Sequence, residues 1–460
     1  MDFQNLDVNV KWHLICRKKY TIYQSGSHIK GNFLQVYVPK NPCRHQGKVK
    51  LITYLHGFAL CMPKFYECHL DFLANQGYYI FFPDFQNSTY PDYLLESENI
   101  FNTNKTKLLS SSFWFKILTE AISKRDDFQI EDYIDEHPNR SNKVGFATPE
   151  LVKPTYYQYI RLALASLILL FIFWFQPRYE KHLMKLLSTV LLSLIHSPIE
   201  WLRHAIDMTD KAWEDLCKDN LELSNLDFDF YVFGHSVGGL LALSWPYYIG
   251  QSKRRFLPKQ IITADPAPSS EKGIPDIAIF ILKLLCLPFV RKPINIRNTG
   301  HKISVPVGIM HGADDKIIKP QFWIKRSFWH TKSNFDCIAS RDKKIYFSLS
   351  NKQTDTPLIA FHNQAVTDTT YFDDDLFKIF GGVKKFPNAY NYEYIWPGLN
   401  LVVQEQVRVD KLLDKFPLKT IEVKDSLPPK SIFWKIVIPT VIVFFGLVFY
   451  TWFFSTVFSI

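Results

Sequence analysis

The sequence predicts an α/β fold in which a mostly parallel central sheet is flanked by helices. Three observations carry this expectation. Short runs of β-branched and aromatic residues alternate with stretches of helical periodicity, the pattern of strands joined by crossover helices. One such run, residues 228–235, ends in Gly234-His235-Ser236-Val237-Gly238-Gly239 and continues into an apolar Leu-Leu-Ala-Leu, so strand, sharp turn and helix follow one another. The composition, 47% hydrophobic and 21% charged over 460 residues, is that of a globular chain with a large core.

Taken in order, residues 33–38 read as an early strand and 51–54 as a second one, running into Leu55-His56-Gly57-Phe58. A helix is expected over 64–76 and a strand over 78–83, ending at Asp84. Residues 86–196 interrupt the alternation, beginning polar and ending apolar, and read as an inserted cap. The helical stretch 201–220 leads back to the sheet and to the strand 228–235. A strand over 260–264 runs into Asp265-Pro266, and the apolar stretch 277–290 reads as one helix of a lid. Strands over 305–310 and 344–349 complete the sheet, and 383–430 carries no clear element signal. The expected organisation is 1–85 and 197–430 as the two parts of one core, 86–196 as the cap, and 431–460 as a C-terminal transmembrane anchor.

The anchor rests on residues 436–460, all uncharged and mostly apolar, which as a helix would extend roughly 37 Å and span a bilayer. Lys424, Lys430 and Lys435 precede it, so the expected orientation leaves the catalytic part in the cytoplasm, at an organelle the sequence does not specify. A second apolar run, 162–175, cannot be a simple crossing, because strands before and after it must share one sheet. It is expected to lie in the interface or to pair with 183–195. The N-terminus lacks a basic segment followed by an apolar one, so no secretory signal is expected. In a cytoplasmic chain the sequons at Asn87, Asn104 and Asn139 carry no weight. The net charge of +10 is dispersed, which fits anionic lipid headgroups and not nucleic acid. Seven cysteines at spacings matching no metal or redox motif read as free thiols, and no metal or cofactor is expected.

The turn at Ser236 is where chemistry is expected. A serine hydroxyl is a poor nucleophile until a base takes its proton, and the base needs an orienting acid. With the order serine, acid, histidine, only residues after 236 qualify. Asp315, three residues past Gly312 at the end of a strand, is the first choice of acid, and Asp265 at the end of the preceding strand is the alternative. Of the later histidines, His330 lies in an amphipathic surface stretch, whereas His362 is delivered by an apolar run into a loop, so His362 is the expected base. Backbone N–H groups of Phe58 and Val237 are expected to form an oxyanion hole. Neither His235 nor His311 is assigned a proton-transfer role.

Leu55-His56-Gly57-Phe58, Gly234-His235-Ser236-Val237-Gly238-Gly239, and Asp315 followed by His362 resemble the α/β-hydrolase superfamily over about 33–85 and 200–380. Gly-His-Ser-x-Gly-Gly, Asp265-Pro266 and the stretch 357–368 resemble lipase-like and chlorophyllase-like esterases in particular. The resemblance implies the α/β-hydrolase fold and hydrolysis of a carboxylic ester through an acyl-enzyme. With the anchor and the apolar cap, the expected substrate is a lipid-like or other hydrophobic ester. Two alternatives stand beside it: an acyltransferase or thioesterase using the same three residues, and a non-catalytic scaffold at a membrane. No protein partner is indicated.

Overall fold

The computed structural model describes residues 19–28, 30–88, 90, 142–143, 189–190, 192–219, 221–224, 226–326, 330–372, 378 and 381–428. The chain divides into one unit spanning 1–425 and another spanning 426–460. The apolar stretches 162–175 and 436–460 lie outside the described residues, as does most of the 86–196 insertion. Among the described residues no helix is long and apolar enough to cross a membrane.

The first unit is built on a sheet with eleven strands among the described residues. They are β1 (Tyr20–Ser25), β2 (Leu34–Pro39), β3 (Arg44–His45), β4 (Lys48–Leu55), β5 (Tyr79–Pro83), β6 (Asn142–Lys143), β7 (Phe228–His235), β8 (Gln260–Ala264), β9 (Val307–Gly312), β10 (Lys343–Ser348) and β11 (Val423–Lys424). The spatial order is β11-β10-β9-β8-β7-β4-β5-β2-β1-β6, with β3 paired to β4. From β5 through β4, β7, β8 and β9 to β10 every pairing is parallel, while β2 joins β5, and β11 joins β10, antiparallel.

The parallel strands are buried on both faces, which is why they read as near-continuous apolar runs. Their side chains still sort by the period of two. Ile52, Tyr54, Ile80, Phe82, Tyr231, Phe233 and Ile262 point into one core layer. That layer is closed by α1 (Glu67–Asn75) and by a helical segment whose first turn, Tyr390–Ile395, is a π-helix. On the opposite face Thr53 Oγ1 meets Thr209 Oγ1 of α2 (Pro198–Asp219) at 3.2 Å. Beside α2 lies the buried helix α3 (Val237–Tyr248).

The strand order reverses between β4 and β7: β5 continues on one side of β4, and β7 to β10 on the other. Such a reversal leaves a crevice beyond the carboxyl ends of the two strands, where ligands of open α/β sheets bind. The register aligns those ends, pairing Leu55 with Gly234, His235 with Ala264, and Ala264 with Met310. The segments after β4, β7, β8 and β9 therefore emerge at one edge.

Several local expectations are corrected. The apolar stretch 277–290 is two helices, α4 (Asp276–Leu284) and Pro288–Arg291. Cys286, at a φ of 53°, and Pro288 break it between them. The helix expected at 64–76 opens as a 3-10 turn, Pro63–Phe65. The strand expected over 305–310 is displaced to Val307–Gly312. The stretch 383–430, which gave no clear signal, holds the π-turn, α5 (Trp396–Val403) and β11.

Candidate active site

The turn at Ser236 is set by backbone and not by side-chain capping. Ser236 has φ 56° and ψ −118°, a conformation an L-residue adopts only when its surroundings enforce it. They do so here through three bonds: Ser236 N–H to the Ala264 carbonyl at 2.9 Å, and the Ser236 carbonyl to the N–H groups of Leu240 and Ala267. The flanking glycines allow the packing. A Cβ on Gly234 would lie 2.2 Å from the Gly238 carbonyl oxygen, and one on Gly238 would lie 2.3 Å from that of His56. The hydroxyl is thereby held beyond the end of β7.

His362 arrives from a loop after β10, and its two ring nitrogens are both engaged. Nε2 lies 2.7 Å from Ser236 Oγ, and Nδ1 lies 2.6 Å from Asp315 Oδ2. Asp315 follows β9, and its other oxygen, Oδ1, accepts the N–H groups of Ile317 at 2.8 Å and Ile318 at 3.0 Å. Burial alone would raise the Asp315 pKa, but the His362 imidazole and these donors hold it below the usual carboxylate value. For His362 burial acts to lower the pKa, and the adjacent Asp315 carboxylate outweighs it, leaving the imidazole more basic than usual. Since Asp315 accepts at Nδ1, that nitrogen carries the proton and Nε2 is free to accept from Ser236.

Asp265 is held elsewhere. Its Oδ1 accepts the Gly312 N–H at 2.7 Å, tying the end of β8 to the end of β9, and its Oδ2 has no hydrogen-bond partner among the described residues. Burial first, and then the negative charge of Asp315, push its pKa well up. Of the two acids left open by the sequence, the structure brings Asp315 onto His362.

Phe58 lies in the loop after β4, and Val237 is the first residue of α3. Both line the same cavity as Ser236 and His362, and among the described residues no protein acceptor takes either N–H. The rest of the lining is mostly apolar, including Leu60, Ile274, Ile317 and Ile318. The loop after β4 is braced by buried groups: Ala59 N–H donates to Gln86 Oε1 at 2.9 Å, and the His56 ring stacks on Phe85 at 3.9 Å. His330, set aside from the sequence, is exposed.

Two clusters of three donor residues occur among the described residues: His28, Cys61 and Asp84, and Asp265, His311 and Asp315. Several of their atoms already bond to protein, while Asp265 Oδ2 and His311 Nδ1 have no hydrogen-bond partner among the described residues. His28 Nδ1 lies 2.6 Å from Asp84 Oδ2, Gln86 N–H donates to Asp84 Oδ1, His311 Nε2 donates to the Ile318 carbonyl, and both Asp315 oxygens are taken.

One residue that no sequence motif marks is Tyr66. Its hydroxyl lies 2.8 Å from Gly57 N and 2.9 Å from His235 Nδ1, inside the core behind the site. Only the three-dimensional approach of α1 to the elbow reveals it.

A parallel sheet with this reversal, a serine on a strained strand-to-helix turn, and the order serine, aspartate, histidine along the chain together define the α/β-hydrolase architecture. No protein-family model matches the chain, and no curated protein matches it in sequence. Among solved structures it is similar to an esterase from Pyrococcus furiosus, at 12% identity over 75% of this chain and 84% of that one, with a TM-score of 0.34. It is also similar to a monoacylglycerol lipase from Paleococcus ferrophilus, at 11% identity over 74% and 90% of the two chains, with a TM-score of 0.31. A third similarity is to a dienelactone hydrolase from Anabaena variabilis, at 10% identity over 71% and 85%, with a TM-score of 0.29.

Proposed function

We propose that this chain is a membrane-associated serine hydrolase that cleaves the carboxylic ester of a lipophilic substrate through an acyl-enzyme. The observation that carries it is the hydrogen-bonded series Ser236 Oγ, His362 Nε2, His362 Nδ1, Asp315 Oδ2, with both links at 2.7 Å or less, beside a largely apolar cavity.

In this mechanism Ser236 Oγ attacks the ester carbonyl carbon while His362 Nε2 takes its proton. The carbonyl π electrons move to oxygen, and the oxyanion accepts the N–H groups of Phe58 and Val237. Asp315 stabilises the imidazolium. Collapse breaks the carbon–alkoxide bond, and the leaving alkoxide takes the proton from His362. A water then attacks the acyl-enzyme through the same base, releasing the carboxylic acid and restoring Ser236.

The lipophilic character is supported by the apolar lining and by α4, which follows Gly273 and Ile274 in the cavity wall. Ile277, Phe280 and Leu284 on α4 are 65%, 63% and 71% exposed, a surface suited to lipid. Membrane attachment is further supported by the uncharged stretch 436–460.

The test uses the full chain with a fluorophosphonate probe and a long-chain p-nitrophenyl ester. Ser236→Ala is expected to abolish both labelling and turnover. Unchanged labelling in that variant would overturn the assignment of the nucleophile.

A further inference from the structure

We propose that Tyr66 and His235 form a positioning pair that locks the oxyanion loop, the nucleophile turn and the loop of the base into one arrangement, an inference that rests on the hydrolase mechanism above. The pair belongs to neither end of the proton path. It is a chain of hydrogen bonds behind it, joining segments that are far apart in sequence.

Gly57 N–H donates to Tyr66 Oη at 2.8 Å, Tyr66 Oη lies 2.9 Å from His235 Nδ1, and His235 Nε2 lies 2.8 Å from the His362 carbonyl oxygen. With His235 neutral, both ends of this chain fix its polarity. A backbone N–H can only donate and a backbone carbonyl can only accept. The Tyr66 hydroxyl therefore accepts from Gly57 and donates to Nδ1, and His235 carries its proton on Nε2 and donates to the His362 carbonyl. For a neutral imidazole this is the only tautomer that satisfies all three bonds. Burial above all, aided by the nearby His362, pushes the His235 pKa down to about 3, so that state persists across the working range.

Each link touches a segment that acts in the reaction. Gly57 immediately precedes Phe58, so the Tyr66 hydroxyl fixes the peptide before the oxyanion donor. His235 immediately precedes Ser236, and the carbonyl it holds belongs to His362 itself. Side-chain burial removes water as a substitute, with Tyr66 fully buried and His235 1% exposed. The approach is close enough that a Cβ at Gly57 would lie 2.8 Å from His235 Nδ1. An error of an ångström in any of the three segments is enough to cost about a hundredfold in rate.

The experiment compares wild type with Tyr66→Phe, His235→Ala, the double variant, and His235→Gln, whose amide keeps a donor for the His362 carbonyl. kcat and KM are measured on p-nitrophenyl butyrate, with active sites counted by fluorophosphonate so that unfolded protein does not enter kcat. Each single variant is expected to lose about 10- to 100-fold in kcat with KM changed less than about threefold. The double variant should fall no further than the worse single, because the two residues act as one chain. His235→Gln should recover part of the loss. A wild-type kcat per labelled site in the single variants, or losses that multiply in the double, would overturn the positioning role. A wild type that takes no label at all would instead sink the hydrolase mechanism on which it rests.

Discussion

Replacing Asp315 by Asn changes one oxygen to an NH2 group, and the structure dictates which one. Oδ1 accepts two backbone N–H groups, from Ile317 and Ile318, and an NH2 placed there would face two donors. The amide oxygen of the variant therefore keeps that position, and the NH2 takes the place of Oδ2, 2.6 Å from His362 Nδ1. It donates to Nδ1 and forces the proton of the neutral imidazole onto Nε2, which then cannot accept from Ser236. The imidazolium also loses its counter-charge in the transition state, worth about 4 kcal/mol for charges ~4 Å apart at an effective dielectric of ~20. That alone is about a thousandfold, and the wrong tautomer brings the expected loss in kcat to about 10⁴-fold. The assay is p-nitrophenyl butyrate turnover by folded Asp315→Asn, checked by circular dichroism, with Asp265→Asn in parallel. Asp265→Asn, which leaves the His362 contact intact, is expected to stay within about tenfold of wild type. Retention of more than about a hundredth of the activity by Asp315→Asn, or an equal loss in Asp265→Asn, would refute the assignment of the acid.

The pH profile of kcat/KM should show an acid limb, rising as His362 loses its proton, because only the neutral imidazole can act as base. Asp315 holds the His362 pKa above its ordinary value of 6.5, so the inflection should lie above that pH, and an inflection below it would contradict the pairing. Gly238→Ala places a Cβ 2.3 Å from the His56 carbonyl oxygen and 2.4 Å from that of Leu55, backbone atoms that cannot give way. It should destabilise the fold by about 3 kcal/mol or prevent folding, whereas Gly250→Ala, whose Cβ meets only Ser252 Oγ at 3.8 Å, should change thermal denaturation little. Equal melting of the two variants would remove the claim that packing dictates the elbow glycines.

What the sequence reveals of this protein is what local pattern encodes. Strands β4, β5, β7 and β8 are legible because a parallel strand buried on both faces is apolar throughout and bounded by turn residues. The elbow is legible because its glycines and its serine are consecutive. What stays hidden depends on approach between distant segments. Tyr66 lies in no motif, and its role comes from α1 packing against the elbow 169 residues away. The break at Cys286 is signalled in the sequence only by Pro288, because the apolar periodicity continues through it. Residues 390–403 form a buried π- and α-helical segment from a mixture of aromatic and polar residues with no clean period.

The choice between two acids shows the same division most sharply. Asp265 and Asp315 both leave parallel strands at the same edge, and in the fold their carboxylate oxygens come within 4.8 Å of each other. Two full negative charges so close in a buried site would repel strongly, which raises the pKa of one carboxyl. Hydrogen bonding decides which. Asp315 has two backbone donors and His362, all of which favour its charge, whereas Asp265 has the Gly312 N–H, a long 3.5 Å bond from Gln364 Nε2, and an Oδ2 without a hydrogen-bond partner among the described residues. The upward pKa shift therefore falls on Asp265, which ties the end of β8 to the end of β9. Asp315 keeps the negative charge that His362 needs. Asp315, in direct contact, outweighs Asp265 in making the His362 imidazole more basic than usual, as expected of the acid that holds the base.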